Sequence, residues 1–60
     1  MTEDKNHIQG NIYVVYSPDE NLYYLEDRNP DNWRVSTRIW NSRIAAIDAF
    51  YNDVIVWESV

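Results

Sequence analysis

A single histidine, His7, and no cysteine leave this 60-residue chain little with which to pair a nucleophile and a base or to hold a metal. Nucleophilic catalysis needs Ser, Thr or Cys beside a positioned base. His7 sits in the polar opening MTEDKNHIQG, and no G-x-S-x-G elbow occurs. Thiolate zinc sites are excluded with cysteine, and one histidine makes no metal centre. Phosphate cradles need glycines for close backbone approach, and Gly10 is the only glycine. Carboxylates do occur in pairs, as Asp19-Glu20 and Glu26-Asp27. Both pairs lie in or beside turn sequence, where carboxylates are ordinarily solvated, and PDENLYYLED lacks the glycine-centred pattern of a calcium loop. A non-catalytic protein with no metal and no cofactor is the expectation.

The remaining chemistry is that of surfaces. Three Trp, five Tyr and one Phe stand beside only five basic residues, four of them Arg. Tyr, Trp and Arg are the residue types that dominate the energetics of protein interfaces. The elements that would position them follow from the periodicity.

Residues 33–50, WRVSTRIWNSRIAAIDAF, change period midway. Residues 33–40 alternate as a half-buried strand does, and after Asn41-Ser42 the spacing becomes helical. Asn41 or Ser42 is the expected N-cap of a helix over residues 43–51. Its apolar stripe is Ile44, Ile47 and Tyr51, with part of Phe50. Upstream, residues 11–16 (NIYVVY) and 22–27 (LYYLED) read as strands, joined by the turn SPDEN. A second turn, RNPDN, leads to the strand at 33–40. Asn52-Asp53 is a plausible stop, and VIVW after it favours a strand over residues 54–59. One long helix through Glu58 is the alternative, but it would set that carboxylate on the buried stripe.

The expected fold is therefore α+β: a three-stranded antiparallel meander, one helix packed on one face, and a fourth strand at the C-terminus (β-β-β-α-β). Residues 1–10 read as a flexible polar lead-in and 11–60 as one small domain. Closing Ser17 on Leu22 and Asp27 on Trp33 sorts the faces. One carries Ile12, Val14, Tyr16, Tyr23, Leu25, Trp33, Val35, Thr37 and Ile39. The other carries Tyr13, Val15, Leu22, Tyr24, Glu26, Arg34, Ser36, Arg38 and Trp40, with Glu26 opposite Arg34. The expected core is Leu25, Val35, Ile39, Ile44 and Ile47. A one-residue slip in either hairpin would exchange faces.

Sixty residues bury only about 60% of their unfolded surface, and the usual remedies are disulfides, a metal or oligomerisation. The first two are absent from the residue inventory, so self-association is the remedy left. The second sheet face supplies the candidate site: Tyr13, Tyr24, Arg34, Arg38 and Trp40, with Tyr24 and Trp40 as anchors and Arg38 at the rim. Either a homodimer or another protein partner fits such a face, and no small-molecule substrate is evident. A solvated face with incidental aromatics is the blander alternative.

Two readings of other classes compete. Tyr and Trp on a sheet can stack on single-stranded bases, but a net charge of −5 opposes a hold on phosphates. Alternatively Asp19, Glu20, Glu26, Asp27 and Asp31 imitate nucleic-acid phosphates in an inhibitor of a nucleic-acid enzyme. Steep salt dependence would mark either of these, and shallow dependence an apolar interface. No apolar run approaches the roughly 20 residues of a membrane span, and the opening residues lack the apolar core of a secretory signal. With no cysteine, a cytoplasmic setting is expected.

Overall fold

The structure, a computed structural model, describes residues 6–59. Five antiparallel strands form one sheet in sequence order: β1 (His7–Gln9), β2 (Ile12–Ser17), β3 (Leu22–Asp27), β4 (Arg34–Ser36) and β5 (Trp57–Ser59). The single helix, α1 (Arg43–Tyr51), connects β4 to β5 and packs on β2 and β3. The α+β meander with a helix and a C-terminal strand is thus the fold. Its sheet has one strand more than expected. Residues 1–5 of the segment read as a lead-in lie outside the described residues, and His7–Gln9 of the same segment pairs with β2.

The β2–β3 hairpin has the expected register, with Ser17 opposite Leu22 and Val14 opposite Leu25. Its turn closes through Asn21 at φ 56°, a left-handed conformation that Asn tolerates better than most residues. The Tyr16 hydroxyl donates to Asn21 Oδ1 at 2.6 Å and secures it.

The next turn departs from expectation by one residue. Asp27 pairs with Arg34, not Trp33, and Glu26 with Val35. The loop's own polar groups explain the longer connection. Asp27 Oδ1 accepts the Asn29 N–H at 3.2 Å, Asn29 Oδ1 accepts the Asp31 N–H at 3.0 Å, and the Asn29 carbonyl accepts the Asn32 N–H at 3.0 Å. These bonds give residues 28–33 a wound path that a tight reversal could not follow. Because side chains alternate, the slip exchanges the faces of β4. Arg34 and Ser36 turn to the helix side and Val35 to the open side. Arg34 Nε donates to Asp27 Oδ2 at 3.1 Å, so Asp27 and not Glu26 is its partner. Trp33 is left exposed.

The expected strand over 33–40 is interrupted. After Ser36 the chain bows out through residues 37–39 and returns at Trp40, whose carbonyl accepts the Tyr23 N–H at 2.8 Å. Ile39 lies on the bow and is 59% exposed, so it does not join the core. In the gap the Ser36 hydroxyl accepts the Leu25 N–H at 2.8 Å and donates to the Thr37 carbonyl at 3.1 Å. A side chain thereby completes the ladder where backbone is missing.

α1 starts at Ser42, whose hydroxyl accepts the Ala45 N–H at 3.1 Å. It stops where the sequence suggests. Asp53 adopts φ 56°, its N–H bonds to the Phe50 carbonyl at 3.1 Å, and the Val54 N–H bonds to the Ala49 carbonyl at 3.0 Å. This left-handed cap turns the chain back toward the sheet and rules out a helix continuing to Glu58. Thr37 N–H then bonds to the Val56 carbonyl at 3.2 Å, leading into β5.

The helix faces the sheet with a different stripe from the one expected. Val14, Leu25 and Ala46 are fully buried, and Ile8, Ile12, Tyr23, Trp40, Phe50, Ile55 and Trp57 pack around them. The inward helix residues are Ala46 and Phe50, roughly 110° round the helix from Ile44, Ile47 and Tyr51 at 100° per residue. Ile44 is 74% exposed and Tyr51 is exposed too, while Ile47 and Val35 are half-buried. Of the five expected core residues, Leu25 alone is fully buried. The bulk of Tyr23, Trp40 and Trp57 fills the space over the sheet, and a close-packed interior admits only a small side chain at the point of nearest approach. Ala46 meets that demand. Ile44→Ala should accordingly shift stability by no more than about 0.5 kcal/mol, the range of exposed substitutions. Chemical denaturation would check this, and a loss above 2 kcal/mol would put Ile44 in a packed setting.

Candidate functional site

The sheet face opposite α1 is covered by no described segment. Alternation and register place Tyr13, Val15, Leu22, Tyr24, Glu26 and Val35 on it. Two guanidinium–tyrosine stacks organise it. Arg28 lies over the Tyr13 ring, 3.9 Å from its centroid, and Arg38 lies over Tyr24 at 4.7 Å. Each cation also meets a carboxylate: Arg28 pairs with Glu26, and Arg38 with Glu20 at 3.3 Å. His7 adds a third layer, its ring 4.9 Å from that of Tyr13. The His7 Nε2 lies 2.8 Å from the Gly10 carbonyl, which ties this ring to the β1–β2 turn, where Gly10 takes φ +55°.

The five residues singled out from sequence divide between the two faces. Tyr13, Tyr24 and Arg38 come together on the open face. Arg34 and Trp40 do not join them. Arg34 is drawn to the helix side by Asp27 and lies 4.3 Å over the Trp57 ring. Trp40 bridges to Tyr23 and packs against the core. Both displacements follow from the β4 register and its interruption. Arg28 and His7 take their places. Arg28 was legible in principle, because residues 24, 26 and 28 share one phase of the β3 alternation carried one step past the strand. His7 was not, since nothing periodic marks β1.

A guanidinium on an exposed ring contributes about 0.5–1 kcal/mol. Its larger effect here is to fix the orientation of two half-buried tyrosines. The carboxylates matter as much as the cations. Glu20 and Glu26 answer the two arginines, so the face offers no run of unopposed positive charge for a phosphate backbone. Nor do the five turn carboxylates form one strip, because Asp27 is directed to the helix side and nearly buried. Among the described residues there is no enclosed pocket and no cluster of three His, Asp or Glu able to hold a metal. No helix among them is long and apolar enough to cross a membrane.

No protein-family model, curated protein or solved structure matches this chain.

Proposed function

We propose that this chain is a small, non-catalytic protein-interaction module of the cytoplasm that associates with a second copy of itself, using the open face of its sheet. The observation that carries the reading is an imbalance. Fully buried apolar side chains are Val14, Leu25 and Ala46, whereas Tyr16, Trp33, Ile39, Ile44, Tyr51, Val54 and Val56 are exposed. A chain of this size has little core to hold it, and covering apolar surface between two copies adds what one copy lacks. Most of these exposed residues lie on the outer helix face, the bow and the loops. The open face adds Val56 and a half-buried layer in which Tyr13 and Tyr24 are already held by Arg28 and Arg38. Rings fixed before contact lose less freedom on binding. An interface of about 800 Å² per partner would be typical.

Sedimentation across a dilution series tests the proposal. The expected result is a dimer at tens of micromolar, with a melting temperature that rises with protein concentration, since folding and pairing are linked. Tyr24→Ala should weaken the dimer by about tenfold or more, as loss of an interface anchor does. Arg38→Ala should weaken it less, because that side chain is exposed and already paired with Glu20. A monomer at every concentration, with an invariant melting temperature, would end the proposal.

A further inference from the structure

The two edges of the sheet are built differently. The β1 edge is His7-Ile8-Gln9, with polar residues either side of Ile8, and its pairing with β2 is irregular between His7 and Gln9. Polar side chains and local irregularity are the devices that discourage an edge from pairing further. The β5 edge has the polar residues Glu58 and Ser59 but pairs with β4 in unbroken register. It is entered through Val54-Ile55-Val56-Trp57, with no proline, glycine or lysine, and Glu58 is its only charge. Val54 and Val56 are each 65% exposed.

The hydrogen-bond pattern shows which backbone groups this edge offers. Val56 gives its carbonyl to Thr37, and Glu58 stands opposite Val35. In an antiparallel ladder alternate residues turn their amides to the same side. Val56 and Glu58 therefore address β4, and Ile55, Trp57 and Ser59 direct theirs outward. β5 is the last strand in the sheet, so these groups face no further described strand. Water can satisfy such groups singly, and another extended chain satisfies the row as a ladder.

We propose that residues 54–58, the approach to β5 and its first two residues, form a strand-addition edge whose occupant is the same segment of a second copy, paired antiparallel about a two-fold axis at Val56. The inference rests on the self-association proposed above but moves the seam from the open face to the sheet edge, so that under it Tyr24→Ala leaves the dimer intact. With Val56 opposite its twin, the outward amides of Ile55 meet those of Trp57 twice over, once on each side of the axis. On the core side Ile55 comes beside the other copy's Trp57, and both belong to the layer around the buried cluster. On the open side the two Val56 side chains meet, and the faces bearing Tyr24 and Arg38 become parts of one surface. Each Glu58 falls across from a Val54, well away from its twin. An axis at Glu58 would oppose two carboxylates. An axis at Val54 would require Asp53, at φ 56°, to be extended. An axis at Trp57 would set Glu58 against Val56 and lose the valine pair.

The absence of cysteine makes a direct test possible. Directly opposed residues of a non-hydrogen-bonded antiparallel pair have Cα atoms about 4.5 Å apart, within disulfide range. The full-length chain would carry Val56→Cys, with Val54→Cys, equally exposed, and Ile44→Cys, on the outer helix face, as comparisons. In a glutathione buffer at tens of micromolar protein, Val56→Cys should form the disulfide-linked dimer about tenfold faster than either, because the effective concentration of the opposed thiols is far higher. Amide exchange of Ile55 and Trp57 in the unsubstituted protein should slow as protein concentration rises. Comparable rates for the three cysteine variants, in a chain that sediments as a dimer, would overturn the β5 edge and leave self-association standing. A chain that sediments only as a monomer would overturn both.

Discussion

Leu25→Ala should abolish most of the folded population at room temperature. Leu25 is 0% exposed and sits with Val14 and Ala46 at the centre of the core. Truncating such a leucine costs about 2–5 kcal/mol through lost transfer energy and the cavity left behind. A chain below about 70 residues rarely draws more than roughly 3–5 kcal/mol from a single core, so the loss is comparable with the whole. The cavity has few means of closing, because Leu25 lies on the central strand of five and is bonded on both sides. Circular dichroism and urea titration, at one protein concentration for both chains, would measure the effect. A midpoint close to that of the unsubstituted chain would mean that the core lies elsewhere. The contrast with Ile44→Ala is the sharper test of helix orientation. Both positions are large and aliphatic, and only their exposure separates them.

What the sequence disclosed, and what it hid, divides along a physical line. Features set by neighbouring residues were legible. The β2–β3 register follows from the short SPDEN turn, the start of α1 from Ser42, and its end from Asn52-Asp53. Features set by distant groups were not. The phase of the helix depends on which side chains occupy the sheet beneath it. Ile44-Ile47-Tyr51 and Ala46-Phe50 are both regular stripes, and the bulk of Tyr23, Trp40 and Trp57 decides between them. The β4 register depends on how Asp27 and Asn29 wind the preceding loop, which no periodicity records. That single step moved Arg34 off the open face. The strand at His7–Gln9 has no alternation to betray it and exists through its ladder to β2. Of the candidate surface, Tyr13, Tyr24 and Arg38 were therefore readable, and Arg28 and His7 became visible only once the strands were paired.

Ser36→Ala should cost about 1–3 kcal/mol, a large loss for the removal of one oxygen atom. Ser36 is 1% exposed, and nothing in its sequence setting distinguishes it from a surface serine. Its hydroxyl accepts the Leu25 N–H at 2.8 Å and passes its own hydrogen to the Thr37 carbonyl at 3.1 Å. The alanine would leave the Leu25 amide buried without an acceptor, and an orphaned donor costs more than the net worth of the bond it made. It would also release the bow at residues 37–39, which the hydroxyl ties to β3. Two readouts separate this from a mere change of volume. Hydrogen exchange at the Leu25 amide should accelerate more than that at Val14, although both residues lie in the same buried cluster. Ser36→Cys, close in shape but a weak hydrogen-bonding partner, should resemble the alanine variant and not the parent. Stability within about 0.5 kcal/mol of the parent in both variants, with Leu25 exchange unchanged, would show that the hydroxyl does not complete the ladder.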